Sequence, residues 1–489
     1  MLFRVLYSMV IFGVAAWSFY AQGERETGGR KLPRGGSTCF LEPLLLPGYF
    51  LCFLLALPFF LRSKALLQYI LNTLLITLLL LCVYYALLLC ALPLLRRCVS
   101  PRACAALYVL PTFLYLLCNF YGISNSVPPV VLTLPRRWLR WLLPVWLGGF
   151  LLILLWQVCS HIRFRRALLK GAQLVDEGDV YRRWRNMQMR SRFKRVIPLM
   201  VSPNTSTPLT IGLFGRTMRL VLPHLNYTPE ELELIFSHEL RHIQRADTRT
   251  KALLGFCTAL CWFDPLMWIS RRRVAEDLEL SCDELVLYQA PDSTRAQYAG
   301  LLLSTAGDGR GYTTCLSAGA STLRYRLRQV VRPANRSSGA LLVGLVLGAL
   351  ILSMGCVALA DSPGTVREQI LSQVPEGSAI DHLYFNDDAH RCAKPCRWDG
   401  DALIGYLSSL TVRQVYTGTY SPPAVSDERE LGMIYTAQEN GVVTSRTTVE
   451  LYEDGTLCAY LPFDDVYRLT YVVEDEIDWS YLSSLLEFE

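Results

Sequence analysis

Six apolar runs limit what this chain can become. Met1 to Ala21, Phe40 to Leu61, Ala65 to Leu95, Ala103 to Tyr121, Trp141 to Ser160 and Gly339 to Ala360 each approach or exceed the ~18 to 20 residues that cross a bilayer as a helix. Of 489 residues, 52% are apolar and only 18% charged, against roughly 25% charged in a soluble domain. A purely soluble chain and a disordered one are both excluded. Trp17, Phe19 and Tyr20 stand where a cleavable signal peptide needs small residues, so the first run is expected to remain as a span. The expected organisation is a five-span region over 1–160, a polar domain over 161–337, a sixth span over 338–360, and a separate tail over 361–489.

Charge divides the chain at the last run. Residues 361–489 hold 8 basic and 23 acidic side chains, whereas residues 1–360 hold 40 and 19. An acidic tail and a basic body predict opposite sides of a membrane. Arg25, Arg30, Lys31 and Arg34, then Arg96, Arg97 and Arg102, then Arg163, Arg165, Arg166 and Lys170 alternate correctly if all three segments are cytoplasmic. Residues 161–337 are then cytoplasmic and the tail extracytoplasmic. Arg136, Arg137 and Arg140 run against the rule, but Trp138 and Trp141 beside them mark a segment lying on the outer membrane surface. A tilt or break near Pro93 is expected in the long third run.

Between Arg163 and Arg195 lie 11 basic residues and three acids, the composition of a juxtamembrane segment resting on anionic lipid. No zinc-finger spacing, RNA-binding signature or glycine-rich phosphate loop occurs, so direct nucleic-acid binding is not expected. The 16 cysteines are scattered, at least eight of them in or beside apolar runs, and form no disulfide framework; Cys392 and Cys396 alone are spaced for a small ring. In the tail, Thr447 to Tyr452 and Thr456 to Leu461 flank Glu453-Asp-Gly455, a hairpin pattern that predicts a small α+β or mainly β domain.

The chemistry is concentrated after Tyr227. Thr228, Pro229 and Glu231 supply an N-cap hydroxyl, a proline at the first helical position and a capping-box glutamate, which together start a helix. On that helix His238 and His242 are four apart and share a face, so both imidazoles can reach one metal ion. Glu239 is placed to take a proton from water at that metal, the H-E-x-x-H pattern. A third ligand is needed, with one position left open for substrate. The segment Arg271 to Leu287 offers Glu276, Glu279 and Asp283, and spacing alone does not choose among them.

A resemblance narrows the choice. Val201-Ser-Pro-Asn, Pro208, Gly212, Val221-Leu-Pro223, His238-Glu-Leu-Arg-His242, Asp247, Trp262-Phe-Asp-Pro265, Arg272 and Glu279-Leu-Ser-Cys-Asp283 resemble the cytoplasmic peptidase domain of the BlaR/MecR family of membrane sensor-transducers. The resemblance implies Zn2+ held by His238, His242 and Glu279, Glu239 as general base, and Asp283 holding a ligand histidine from behind. It implies an edge strand at Leu209, Ile211 and Gly212, within two short strands around Gly215, that takes substrate as an added strand. The fold class is then a polytopic α-helical membrane protein with an inserted α+β zincin-type, gluzincin-like peptidase domain and the small C-terminal domain. Two departures stand out. Asp264 replaces the family's usual asparagine, and the tail has no Ser-x-x-Lys motif, its single lysine, Lys394, being preceded three residues back by Arg391. Acylation by an antibiotic is therefore not inherited.

The function expected is a membrane zinc endopeptidase that turns an extracytoplasmic signal into cytoplasmic proteolysis of a protein substrate, a winged-helix repressor by resemblance. The segment Arg324 to Arg336, the only covalent path from zinc to tail, is a further candidate for self-cleavage. A constitutive quality-control protease and a non-catalytic receptor are the rival classes.

Overall fold

The computed structural model describes residues 2–27, 42–60, 64–116, 130–133, 136–191, 196–304, 320–334, 336–353, 357–375, 378–387, 394–395, 397–415, 429–439, 442–460 and 469–488. Cys392 and Cys396, and the basic loop beyond Thr27, lie outside them.

The first third is helical: α1 (Leu2–Thr27), α2 (Leu45–Phe60), α3 (Lys64–Cys98), α4 (Pro101–Val109) and the single turn α5 (Phe113–Leu116), then strand β1 (Val130–Thr133) and helix α6 (Arg136–Leu169). Among the described residues, three stretches are long and apolar enough to cross a membrane: Val5–Thr27, Thr73–Cys98 and Trp141–Leu169. Pro93 does not break α3, which runs through it. The fourth apolar run differs from the expected span. Its described part is α4, a 3-10 turn and α5, and residues 103–110 are almost fully buried, so its apolar side chains face other helices rather than lipid.

The middle of the chain folds as β2 (Gln173–Val175), α7 (Gly178–Arg190), β3 (Leu199–Val201), β4 (Leu209–Ile211), β5 (Arg219–Leu222), α8 (Pro229–Arg245), α9 (Asp247–Leu260), α10 (Pro265–Val286), α11 (Asp292–Ser304) and α12 (Ala320–Val331). The four strands make one sheet in the order β2-β3-β5-β4, with β4 at its edge. Gly212 ends that edge at φ 118°, where a Cβ would lie 2.4 Å from the Thr217 carbonyl oxygen, so only glycine fits the turn. Packing does not respect the polar boundary expected at residue 161. Leu253, Phe256, Leu260, Met267 and Leu278 from α9 and α10 share one core with Phe19, Tyr85, Tyr108 and Phe150. The Trp146 indole donates to the Leu260 carbonyl at 2.8 Å, and Arg96 at the end of α3 pairs with Asp277 and Glu276 of α10 at 2.9 and 3.0 Å.

The last part comprises α13 (Ala340–Ser353), β6 (Val357–Ala360), β7 (Gly364–Thr365), α14 (Val366–Gln369), β8 (Ala379–Asn386), β9 (Arg397–Trp398), α15 (Gly400–Ser409), β10 (Thr411–Val415), β11 (Glu430–Glu439), β12 (Val442–Tyr452), β13 (Thr456–Tyr460), β14 (Leu469–Val473), α16 (Trp479–Ser484) and β15 (Leu486–Glu487). The run expected as a sixth span divides, because its end is a strand: β6 pairs with β1 and β10, leaving a helix of 14 residues. The expected hairpin is β12–β13, turning at Gly455 with φ 79°. Most of the tail's strands join one large sheet, antiparallel except where β6 runs parallel to β1, and α14, α15 and α16 bury Val366, Leu403, Leu407 and Leu482 in a core with it. The tail is α+β.

Helices α1 and α13 run antiparallel with their backbones close together. A Cβ on Gly344 would lie 2.7 Å from the Phe12 carbonyl oxygen, and the Ser8 hydroxyl donates to the Gly348 carbonyl at 2.9 Å. Small residues four apart allow such an approach between apolar helices. One end of the pair carries β6 and the tail; the other meets α4 and the peptidase helices. Replacing Gly344 with Leu overpacks this contact and is expected to cost about 1–3 kcal/mol. Thermal unfolding of the detergent-purified protein checks this, with Gly13→Leu, where nothing lies within 4 Å, expected to melt like wild type.

Candidate active site

Helix α8 begins as its sequence dictates. The Thr228 hydroxyl accepts from the Glu231 amide at 3.2 Å, and the Glu231 carboxylate accepts from the Thr228 amide at 2.9 Å. It ends at Ala246 in the left-handed region, φ 56°. That turn starts α9 at once, and Asp247 returns to His242 with Oδ2 2.7 Å from Nδ1. One turn earlier, His238 Nδ1 lies 2.8 Å from the Tyr298 hydroxyl of α11, which donates to Asp283 Oδ1 at 2.6 Å.

These contacts assign the tautomers. The Asp247 carboxylate can only accept, so His242 Nδ1 carries hydrogen. The Tyr298 proton goes to Asp283, so its oxygen accepts from His238 Nδ1. Both Nε2 atoms are left with lone pairs, yet they face each other at 3.0 Å. Glu279 Oε2 completes the triangle at 3.5 Å from His238 Nε2 and 3.6 Å from His242 Nε2, and it makes no hydrogen bond among the described residues. His238 and His242 are buried and Glu279 nearly so. Three buried acceptors converging on one point require positive charge there.

Electrostatics agree. Burial opposes charge on His242, but Cys282, Glu279 and Asp247 outweigh it and hold the imidazole well above its usual range. Burial likewise opposes ionisation of Glu279, while His242 and Lys251, whose Nζ donates to Oε1 at 3.2 Å, hold its carboxyl well below the usual range. A proton or a metal ion satisfies such a pocket, and the two nitrogens with a carboxylate oxygen are a donor set that fits a divalent cation.

Cys282 offers a second choice of third ligand, since its sulfur lies within 4.8 Å of both histidine nitrogens. Burial raises its thiol pKa, but His238 and His242 draw it down to about 7. Two contacts favour Glu279: its Oε2 lies 3.5 and 3.6 Å from the two Nε2 atoms, and the Cys282 thiol is already engaged, donating to the His238 carbonyl at 3.4 Å.

Glu239 is fully buried beside His238, and its Oε2 accepts from the Thr210 hydroxyl at 2.7 Å. Thr210 lies on β4 between Leu209 and Ile211, so the expected edge strand is tied directly to the expected base. Asp283 Oδ1 lies 3.5 Å from His238 Nδ1. Glu276 is turned to Arg96, Arg273 and Thr322, and Asp264 caps α10 by accepting from the Leu266 amide at 2.9 Å. Thr210, Lys251, Tyr298 and Arg326, and the part played by Asp247, were not expected from the sequence. Arg326 is fully buried and bidentate on Asp283.

Residues 128–330 match the model of the BlaR1 peptidase M56 family. Regulatory protein BlaR1 of Bacillus licheniformis is 24% identical over 225 residues, 44% of this chain and 37% of that protein. The methicillin resistance mecR1 protein of Staphylococcus aureus is 27% identical over 150 residues, 30% of this chain and 25% of that protein. The matches thus span 37% or less of the length of these curated relatives. The family suggests metallopeptidase activity and a metal cofactor.

Loss of the Asp247 carboxylate frees the His242 ring to rotate and change tautomer. Asp247→Ala is expected to weaken metal binding 10- to 100-fold, measured by competition with a chromophoric chelator.

Proposed function

The chain carries a peptidase domain of the BlaR/MecR type, and from that premise we propose that it is a membrane-embedded zinc endopeptidase in which residues 361–489 receive an extracytoplasmic signal and residues 161–337 cut protein in the cytoplasm. The observation that carries this reading is the convergence of His238 Nε2, His242 Nε2 and Glu279 Oε2 within 3.6 Å of one another. These three residues would hold zinc. When bound, zinc supplies Lewis acidity toward water and the scissile carbonyl.

The remaining roles belong to side chains of this chain. Glu239 takes the proton of the attacking water and returns it to the leaving amine. Thr210 fixes the plane of that carboxylate through Oε2. Asp247 holds His242 directly, and Asp283 holds His238 through Tyr298. The edge at Leu209, Ile211 and Gly212 aligns the substrate backbone as an added strand. In sidedness, basic Arg96 and Arg102 lie at the peptidase end of the α1–α13 pair, the tail with its excess of acids lies at the other, and positive charge favours the cytoplasmic side.

The substrate is a winged-helix repressor, and the connector to α13 is a second one. Peptidases of this type bind extended chain, whereas Ala320–Val331 is helical. Cutting there requires α12 to unwind, and the helix is the resting form.

Glu239→Gln is expected to keep zinc and lower proteolysis at least 10²-fold. Glu279→Ala is expected to lose zinc and Cys282→Ser to retain it. Metal content and peptide release by the purified protein read all three; proteolysis by Glu239→Gln would defeat the mechanism, and zinc loss in Cys282→Ser would move the third ligand. In the native host, a tail-bearing fragment is expected on immunoblots of induced wild type and not of Glu239→Gln.

A further inference from the structure

One charged side chain joins the connector to the metal set. Helix α12 precedes α13 by eight residues, and its Arg326 is 0% exposed. Arg326 Nε and Nη2 each donate to Asp283 at 2.7 Å, a forked pair, while Nη1 lies 3.4 Å from Glu279 Oε2. Glu279 and Asp283 are one turn apart on α10 and both are nearly buried. Two such carboxylates repel, and an unpaired buried one protonates or turns away. The guanidinium removes that conflict: it orients Asp283 to receive the Tyr298 proton, which sets the His238 tautomer, and it stands beside the Glu279 oxygen that faces both imidazoles.

The other anchors of α12 are lighter. The Thr322 hydroxyl donates to Glu276 at 3.2 Å, the Arg96 guanidinium lies 5.6 Å from the Tyr325 ring centre, and Leu323, Leu327 and Val330 pack against Leu287, Tyr298 and Leu302. Beyond it, Ser337 exchanges backbone hydrogen bonds with Cys98 and Ser100 before α13 begins. A continuous physical route therefore runs from α13 through Ser337 and α12 to the two carboxylates.

We propose that Arg326 is a positioning residue that couples the docking of α12, and with it the approach to α13, to metal binding by His238, His242 and Glu279. This rests on the metal-site reading above. Coupling of this kind is reciprocal: undocking α12 weakens metal binding, and metal binding tightens α12. A signal carried by α13 thereby reaches the zinc site without touching a ligand.

The test uses the full-length protein in detergent, with zinc affinity from chelator competition and hydrogen exchange over residues 320–331 with and without zinc. Arg326→Ala is expected to lose 10- to 100-fold in zinc affinity, with Arg326→Lys intermediate because it keeps the charge and loses the fork. Arg183→Ala, which breaks an exposed pair with Asp179 at 2.7 Å on α7, is expected to leave affinity unchanged. Zinc is expected to slow exchange over 320–331 in wild type, a measurement that needs no variant to fold. Wild-type affinity in Arg326→Ala, or exchange indifferent to zinc, overturns the coupling. Zinc retained when His238 and His242 are both replaced by Ala overturns the metal-site reading instead, and the coupling with it.

Discussion

Two imidazole nitrogens with lone pairs facing each other at 3.0 Å, and a carboxylate oxygen 3.5 Å away, cannot stay buried without positive charge between them. Much of the surrounding architecture follows from keeping that arrangement in place. Asp247 and the Tyr298–Asp283 pair fix which nitrogen of each ring carries hydrogen. Lys251 and Arg326 balance the carboxylates that would otherwise repel each other. The left-handed Ala246 turns the chain sharply enough for α9 to supply Asp247 and Lys251 to residues of α8 and α10. Each contact has a partner on a different helix, so the site is a property of five helices, α8 to α12, packed together.

Those helices are not suspended below the membrane region. α9 and α10 share a core with α1, α3, α4 and α6, and Arg96 grips α10 through Asp277, whose carboxyl is raised to about 7 by burial against the opposing pull of Arg96. On the opposite end, β1 from the loop before α6 pairs in register with β6. The tail's sheet is therefore tied both to α13 by chain and to α6 by a strand. Movement of the tail relative to the bundle has two ways to reach the peptidase helices, through α13 and α12 or through α6, whose Trp146 bonds to α9.

How much of this the sequence disclosed follows from the range of each interaction. His238 and His242 were legible because a helical repeat of four places them on one face of a single element, Glu239 because it adjoins the first of them, and the Thr228 cap because it too is local to that helix. Glu279 was one of three equivalent carboxylates by spacing, and only resemblance singled it out. Tyr298 and Arg326 lie 60 and 43 residues from their partners, beyond any local pattern. Arg326 did leave a trace: it interrupts the apolar stripe of Leu323, Leu327 and Val330, and a charge on the buried face of a helix needs a partner. Run length misled where an apolar stretch was buried by protein, as in α4, or divided between helix and strand, as at α13 and β6.

The central claim is the identity of the metal set, and zinc-edge X-ray absorption on the purified full-length protein addresses it directly. One zinc per chain is expected, with two imidazole signatures, only nitrogen and oxygen neighbours at ~2.0–2.2 Å, and the imidazole signatures lost when His238 and His242 are replaced. A sulfur neighbour at ~2.3 Å would place Cys282 in the set instead of Glu279, and a shell unchanged in the histidine variant would put the metal elsewhere.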